Sequence, residues 1–240
     1  MLKASAFLLI LVPTACSPAS SEIRFLSLMG NEGSGHHSMT PAIRRIVFEA
    51  GGGENFPFRH DHRPELTGDR SGKLLRAFLE KSKKSFQKAL AEKREAGLVQ
   101  QAYSFPTGSR RSPADPIYNI TELVRMLRHA GVSRMAVIKY ERDIHARAES
   151  VFRRFPAHFP AHDIGESLRN QRLFESLIEG QLLEMKGLHI PILRVGIDEL
   201  NATCHTFVAK VHSFLTKADI IGNFSDMAYL SGQVCAQQMS

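Results

Sequence analysis

Ile23-Arg-Phe-Leu-Ser-Leu-Met29, followed by Gly30-Asn-Glu-Gly-Ser-Gly-His-His37, is the stretch on which the fold turns. The first seven residues form a short apolar run suited to a buried parallel strand, which is covered on both faces and has no polar side to show. The next eight are dense in glycine, the residue that permits tight turns and close backbone approach. Ser38 or Thr40 is placed to cap a helix in which Ile43, Ile46 and Val47 recur at helical spacing, with Pro41 tolerated in its first turn. The unit reads strand, glycine loop, helix.

The same alternation recurs downstream. Residues 51–72 are rich in Gly, His and Pro and read as a loop with a short strand near Asn55 to Phe58. From Lys73 to Arg94 the spacing predicts a helix: Leu75, Phe78, Leu79, Phe86, Ala89 and Leu90 share a face, and Lys81, Lys83, Lys84, Lys88 and Lys93 make a solvated one. A strand is expected over Leu98 to Phe105, a loop over 106–116, and a helix over Ile117 to Ala130 stopped by Gly131. Arg134 to Tyr140 is a second buried-strand pattern, leading to a helix with Ile144, Ala148, Val151, Phe152 and Phe155 on one stripe. A long helix over Asp163 to Lys186, a strand over His189 to Val195 and a final helix over about Leu200 to Thr216 complete the series. Such alternation predicts an α/β fold of three layers, helices on both faces of a central parallel sheet, with ligands at the carboxyl ends of the strands.

Composition bounds the rest. The chain has 240 residues, 43% hydrophobic and 23% charged, which fits a globular domain and excludes a disordered or collagen-like chain and a multi-span membrane protein. Lys plus Arg is 31 against 24 acidic residues, a net charge of +7, which favours an anionic ligand and names none. Lys3, an apolar run from Ala4 to Val12, Pro13 and small residues up to Ser21 follow the order of a secretory signal peptide. The run is shorter than the roughly 20 residues of a bilayer span, so 1–21 reads as a cleaved signal, or a short tether, ahead of one domain over 22–240. Asn119-Ile-Thr, Asn201-Ala-Thr and Asn223-Phe-Ser are glycosylation sequons. Together these features predict the lumen of the secretory pathway, the Golgi or secretion. Of the three cysteines, loss of Cys16 with the signal leaves Cys204 and Cys235 as a pair in an oxidising compartment.

Two segments carry chemistry. A glycine loop between strand and helix offers unpaired N–H groups and the positive end of the helix dipole, a natural phosphate cradle. The Walker lysine with its Ser or Thr is missing, and His36-His37 stands in its place, which disfavours ATP or GTP hydrolysis. Arg142 lies just past the second buried strand and Ser150 eight residues on, about 80° around and about 12 Å along a helix, so a guanidinium and a hydroxyl can converge on one anion. The plain alternative is an Arg142–Asp143 surface pair beside an incidental serine. His60-Asp61-His62 offers metal-ligating atoms, but loop neighbours without distant ligands rarely complete a site, and no metal is expected.

Taken together, the strand with Gly30-Asn-Glu-Gly-Ser-Gly-His-His37, Arg142 with Ser150, and the late run Ile192-Leu-Arg-Val-Gly-Ile-Asp-Glu-Leu200 resemble the sulfotransferase superfamily across about residues 23–217. The resemblance implies a P-loop-like fold and the co-substrate 3′-phosphoadenosine 5′-phosphosulfate. Gly33, Ser34, Gly35, His36 and His37 would cradle the 5′-phosphosulfate, and Arg142 and Ser150 the 3′-phosphate, with Arg153 or Arg154 assisting. Asp198, Glu199 and Leu200 match positions that are structural in the family. Family loops place Lys or Arg before the Ser-Gly pair and Thr-Thr after it, where this chain has Gly33 and His36-His37. A protonated His36 or His37 would then supply the charge needed on the departing oxygen, while Glu54, His60 and His62 are the candidate general bases. The acceptor would be a hydroxyl of a glycan, acidic glycans included, of a protein or of a small secreted molecule; nucleic acid is not expected. A non-catalytic nucleotide-binding protein with the same fold is the competing reading, and a P-loop phosphotransferase a third.

Overall fold

The structure, a computed structural model, describes residues 23–31, 33–51, 58–61, 73–90, 97–105, 119–154, 156 and 161–236. Five strands, β1 (Ile23–Asn31), β2 (Phe58–Asp61), β3 (Gly97–Phe105), β4 (Met135–Glu141) and β5 (Ile192–Gly196), form one parallel sheet in the order β2-β3-β1-β4-β5. The helices between them are α1 (His36–Ala50), α2 (Lys73–Leu90), α3 (Ile120–His129), α4 (Ile144–Arg154) and α5 (Ile164–Gly187); α6 (Ile197–Ala202), α7 (Cys204–Lys217) and α8 (Met227–Cys235) follow β5.

The strand order dictates the layers. The step from β1 to β2 runs to one edge of the sheet, whereas every later step runs the opposite way. Right-handed crossovers therefore send α1 to one face and α2, α3, α4 and α5 to the other. The buried side chains follow that division. Met39, Ile43, Ile46 and Val47 of α1 pack with Leu26, Leu28, Ile138 and Tyr140 of the sheet and with Phe207, Val211 and Leu215 of α7 and Leu230 and Val234 of α8. Phe25, Met29, Val99 and Val137 meet Leu75, Phe78 and Leu79 of α2, Leu123, Val124 and Leu127 of α3, and Ile178, Leu182 and Met185 of α5. The three-layer α/β/α arrangement with a central parallel sheet expected from the sequence is the one found.

Several boundaries differ from expectation. The first helix begins at His36 with Gly35 as its N-cap residue, three residues ahead of Ser38 and five ahead of Thr40, because Ser38 N–H and Met39 N–H already bond to the Gly35 carbonyl. The short second strand lies at Phe58–Asp61 rather than near 55–58. The last expected helix is two, α6 and α7, broken at Thr203, and α8 was not anticipated. Cys204 and Cys235 form a disulfide that ties the start of α7 to the end of α8. No helix among the described residues is long and apolar enough to cross a membrane.

Candidate functional site

β1 passes between β3 and β4, and its connection leaves toward the face opposite theirs. Strand ends whose loops part in this way open a crevice at the carboxyl edge of a parallel sheet. The glycine loop occupies it. Ser34 N–H bonds to the Asn31 carbonyl at 3.0 Å, closing a turn, and Gly33 and Gly35 both take left-handed backbone angles, φ 84° and 85°. A side chain at Gly33 would meet the Arg147 carbonyl at 3.2 Å, and one at Gly35 would meet Ile197 at 2.9 Å. The loop is thus clamped between α4 and α6, and glycine at both positions is a steric as well as a conformational requirement.

A cleft of about 340 Å³ opens beside it, lined by Gly33, Gly35, His36, His37 and Ser38, by Arg142 and Arg154, and by Ile197, Asp198 and Asn201 of α6. The first N–H groups of α1 have no partner within the helix by its geometry, and the positive end of the helix dipole lies at the same place. The His36 and His37 rings stand 4.0 Å apart, tilted by 39°. Arg142 donates from Nη1 to the Gly33 carbonyl at 2.9 Å, so the arginine that the sequence singled out both braces the loop and borders the cleft. Arg142 and Arg154 stand against one carboxylate, Asp198, so the lining has an excess of basic groups, with the His36 and His37 imidazoles beside them.

The residues named from the sequence divide accordingly. Gly33, Gly35, His36, His37 and Arg142 converge on the cleft. Ser34 is fully buried beneath the loop, and its hydroxyl has no hydrogen-bond partner. The loop turns its backbone rather than this side chain toward the space. Ser150 is half-buried on α4 and is not part of the lining. Of the two assisting arginines, Arg154 lines the cleft, while Arg153 is exposed and pairs with Glu149 at 2.5 Å. Glu54 and His62 lie outside the described residues, and His60 is placed only as backbone in β2. Among the described residues no cluster of His, Cys, Asp or Glu is arranged to hold a metal.

Behind the loop lies a charged network that sequence reasoning missed. Lys139 of β4 is 1% exposed and donates to Glu175 and Glu179 of α5. Glu175 also accepts from Arg147 at 2.5 Å and from the Asn31 side chain at 2.9 Å, while Arg194 of β5 bonds to both Glu179 and Glu141. A lysine in the middle of Met-Ala-Val-Ile-Lys-Tyr was the available signal, since a buried cation is seldom left without a carboxylate. Burial pushes the Glu175 carboxyl up, but hydrogen bonds from Lys139 and Arg147 outweigh it and hold the group below the ordinary carboxylate range. Glu179 is held at about 2 by its bonds from Arg194, opposed by partial burial and helped by Lys139. Asn31 ends β1 and Arg147 backs Gly33, so the network fixes both sides of the loop. No known protein family and no curated protein matches the chain.

Proposed function

We propose that the protein is a sulfotransferase using 3′-phosphoadenosine 5′-phosphosulfate and a hydroxyl-bearing acceptor, working in the secretory pathway. The observation that carries the reading is the convergence of a glycine loop opening a helix with His36, His37, Arg142 and Arg154 in one cleft at the strand ends. The donor supplies an activated sulfuryl group and leaves as adenosine 3′,5′-bisphosphate. Backbone N–H groups of the loop and first turn of α1 would hold its 5′ end, and the imidazoles, which line the same cleft, would supply positive charge as the bridging oxygen departs. Arg154, with Arg142, takes the 3′-phosphate role first given to Ser150, because the arginine borders the cleft and the serine does not.

One observation favours a second reading, a non-catalytic nucleotide-binding protein. The loop holds no lysine, and one of the five donors of Arg142 is spent on the Gly33 carbonyl rather than on a ligand. Thermal denaturation with adenosine 3′,5′-bisphosphate against ATP, joined to transfer of labelled sulfate to a panel of hydroxyl acceptors, separates the readings. Saturating bisphosphate should raise the midpoint by about 5–10 °C, the effect of roughly 2.7 kcal/mol at a hundredfold excess over Kd. Transfer that is lost in a His36→Ala, His37→Ala double variant supports the enzyme; binding without transfer supports the second reading. Preference for ATP would favour a phosphotransferase and remove both.

A further inference from the structure

Asn119, Asn201 and Asn223, the asparagines of the three sequons, are all exposed. The Cys204–Cys235 disulfide belongs to an oxidising compartment, where the lipid-linked donor of asparagine glycans is also found. At Asn119 the side-chain oxygen caps α3 by accepting from Glu122 N–H at 2.9 Å, which leaves the amide nitrogen, the atom that carries a glycan, outside the cap. Asn223 lies in the irregular segment between α7 and α8. Asn201 is different in kind, because it lines the loop cleft.

The reason is the geometry of α6. Glu199 accepts from the Gly196 N–H at 3.0 Å and fixes the start of the helix, and Ile197 then packs on Gly35. Asn201 stands four residues beyond Ile197 and three beyond Asp198, the spacings at which helix side chains are neighbours, so it comes to the cleft beside both. We propose that Asn201 carries an N-linked glycan whose first sugars stand at the rim of this cleft and limit the size of what enters it. In the modification, the Asn201 amide nitrogen bonds to C1 of the first sugar. The bond from C1 to the lipid pyrophosphate breaks with its electron pair, and the amide loses one proton to a base. In the folded chain Asn201 and Ala202 are helical and the Thr203 hydroxyl donates to the Glu199 carbonyl at 3.1 Å, so the extended triplet is presented before α6 forms. Folding then carries the sugar to the cleft.

The test uses the full chain secreted from cultured eukaryotic cells. Peptide mapping after release of N-glycans in oxygen-18 water should show Asn201 converted to labelled aspartate. Access is read with a cysteine placed in the cleft, Ser38→Cys, or Asp198→Cys should the first not fold, and the parent chain as blank. N-ethylmaleimide serves as the small probe and a polyethylene-glycol maleimide as the bulky one. Removing the glycan by Asn201→Gln, or by Thr203→Ala, which keeps the asparagine, should speed the bulky reagent by roughly tenfold and the small one by less than about twofold, as expected for a bulky surface sugar. An unmodified Asn201 in the secreted chain overturns the proposal, and so does a glycan whose removal leaves the bulky reagent's rate unchanged. Neither readout requires a nucleotide, so failure of the sulfotransferase reading would leave this result standing.

Discussion

Gly35 concentrates two constraints on one atom that it lacks. Its backbone is left-handed, at φ 85°, and a Cβ would fall 2.9 Å from the Ile197 side chain. Gly35→Ala should therefore cost about 1–3 kcal/mol of stability, read by chemical denaturation, and a loss below a few tenths would contradict the loop geometry. Arg142 is the residue whose loss should touch both structure and ligand. It anchors the Gly33 carbonyl and borders the cleft, so Arg142→Ala should weaken adenosine 3′,5′-bisphosphate by roughly 10- to 100-fold, the range of one charge-assisted hydrogen bond. Calorimetry with adenosine 5′-phosphate as comparison checks whether the loss is tied to the 3′-phosphate: a smaller loss with the monophosphate is the expected result.

Elements are held to one another by devices of unequal strength. The disulfide joins α7 to α8 across 31 residues, and α8 in turn covers α1, the helix that the glycine loop opens. A loop of that length corresponds to about 3.7 kcal/mol on the chain-entropy model, so a Cys204→Ser, Cys235→Ser double variant should lose roughly 7–15 °C in thermal midpoint. Two free thiols in the native protein, found by mass spectrometry, would remove the bond. Across the opposite face, Lys139 holds β4 to α5 through Glu175 and Glu179. Lys139→Met takes the cation from three carboxylates, of which Glu175 keeps Arg147 while Glu141 and Glu179 keep Arg194. With those partners remaining, the cost should fall at or below about 3 kcal/mol, the lower end for breaking a buried pair, measured by urea unfolding.

Acid sensitivity belongs to the whole molecule, since it sums groups on both faces of the sheet. Glu175 and Glu179 have folded pKa values below their ordinary value of 4.5, so their stabilisation is complete above that pH and is lost as pH falls toward about 2. His212, buried on α7, is pushed below its ordinary 6.5 by desolvation. An unfolded chain then binds the extra proton first, and stability begins to fall as soon as pH drops below 6.5. The thermal midpoint should decline in two stages on acidification. His212→Gln should flatten the upper stage and Lys139→Met the lower; a single transition near pH 4 insensitive to both would contradict the assignment.

Periodicity and glycine placement in the sequence determined the alternation of strands and helices and the strand–loop–helix opening, while the pairing of the loop with Arg142 came only from the family resemblance. Local spacing encodes the elements, because a side-chain period of two or of 3.6 is set by backbone geometry within a few residues. The helix start was placed at least three residues late, since Ser38 and Thr40 are good capping residues by type but the Gly35 carbonyl had already begun the ladder. Ser150 was expected beside Arg142 and is not part of the cleft lining, because helical phase gives the angle of a side chain, not what the neighbouring element packs against it. Only the tertiary structure decided that Arg154 and Asn201 border the cleft, that Ser34 lies beneath the loop, and that Lys139 joins α5 behind it. Those relations connect residues tens of positions apart, and long-range contact is fixed by the sheet order and crossover handedness rather than by any local pattern.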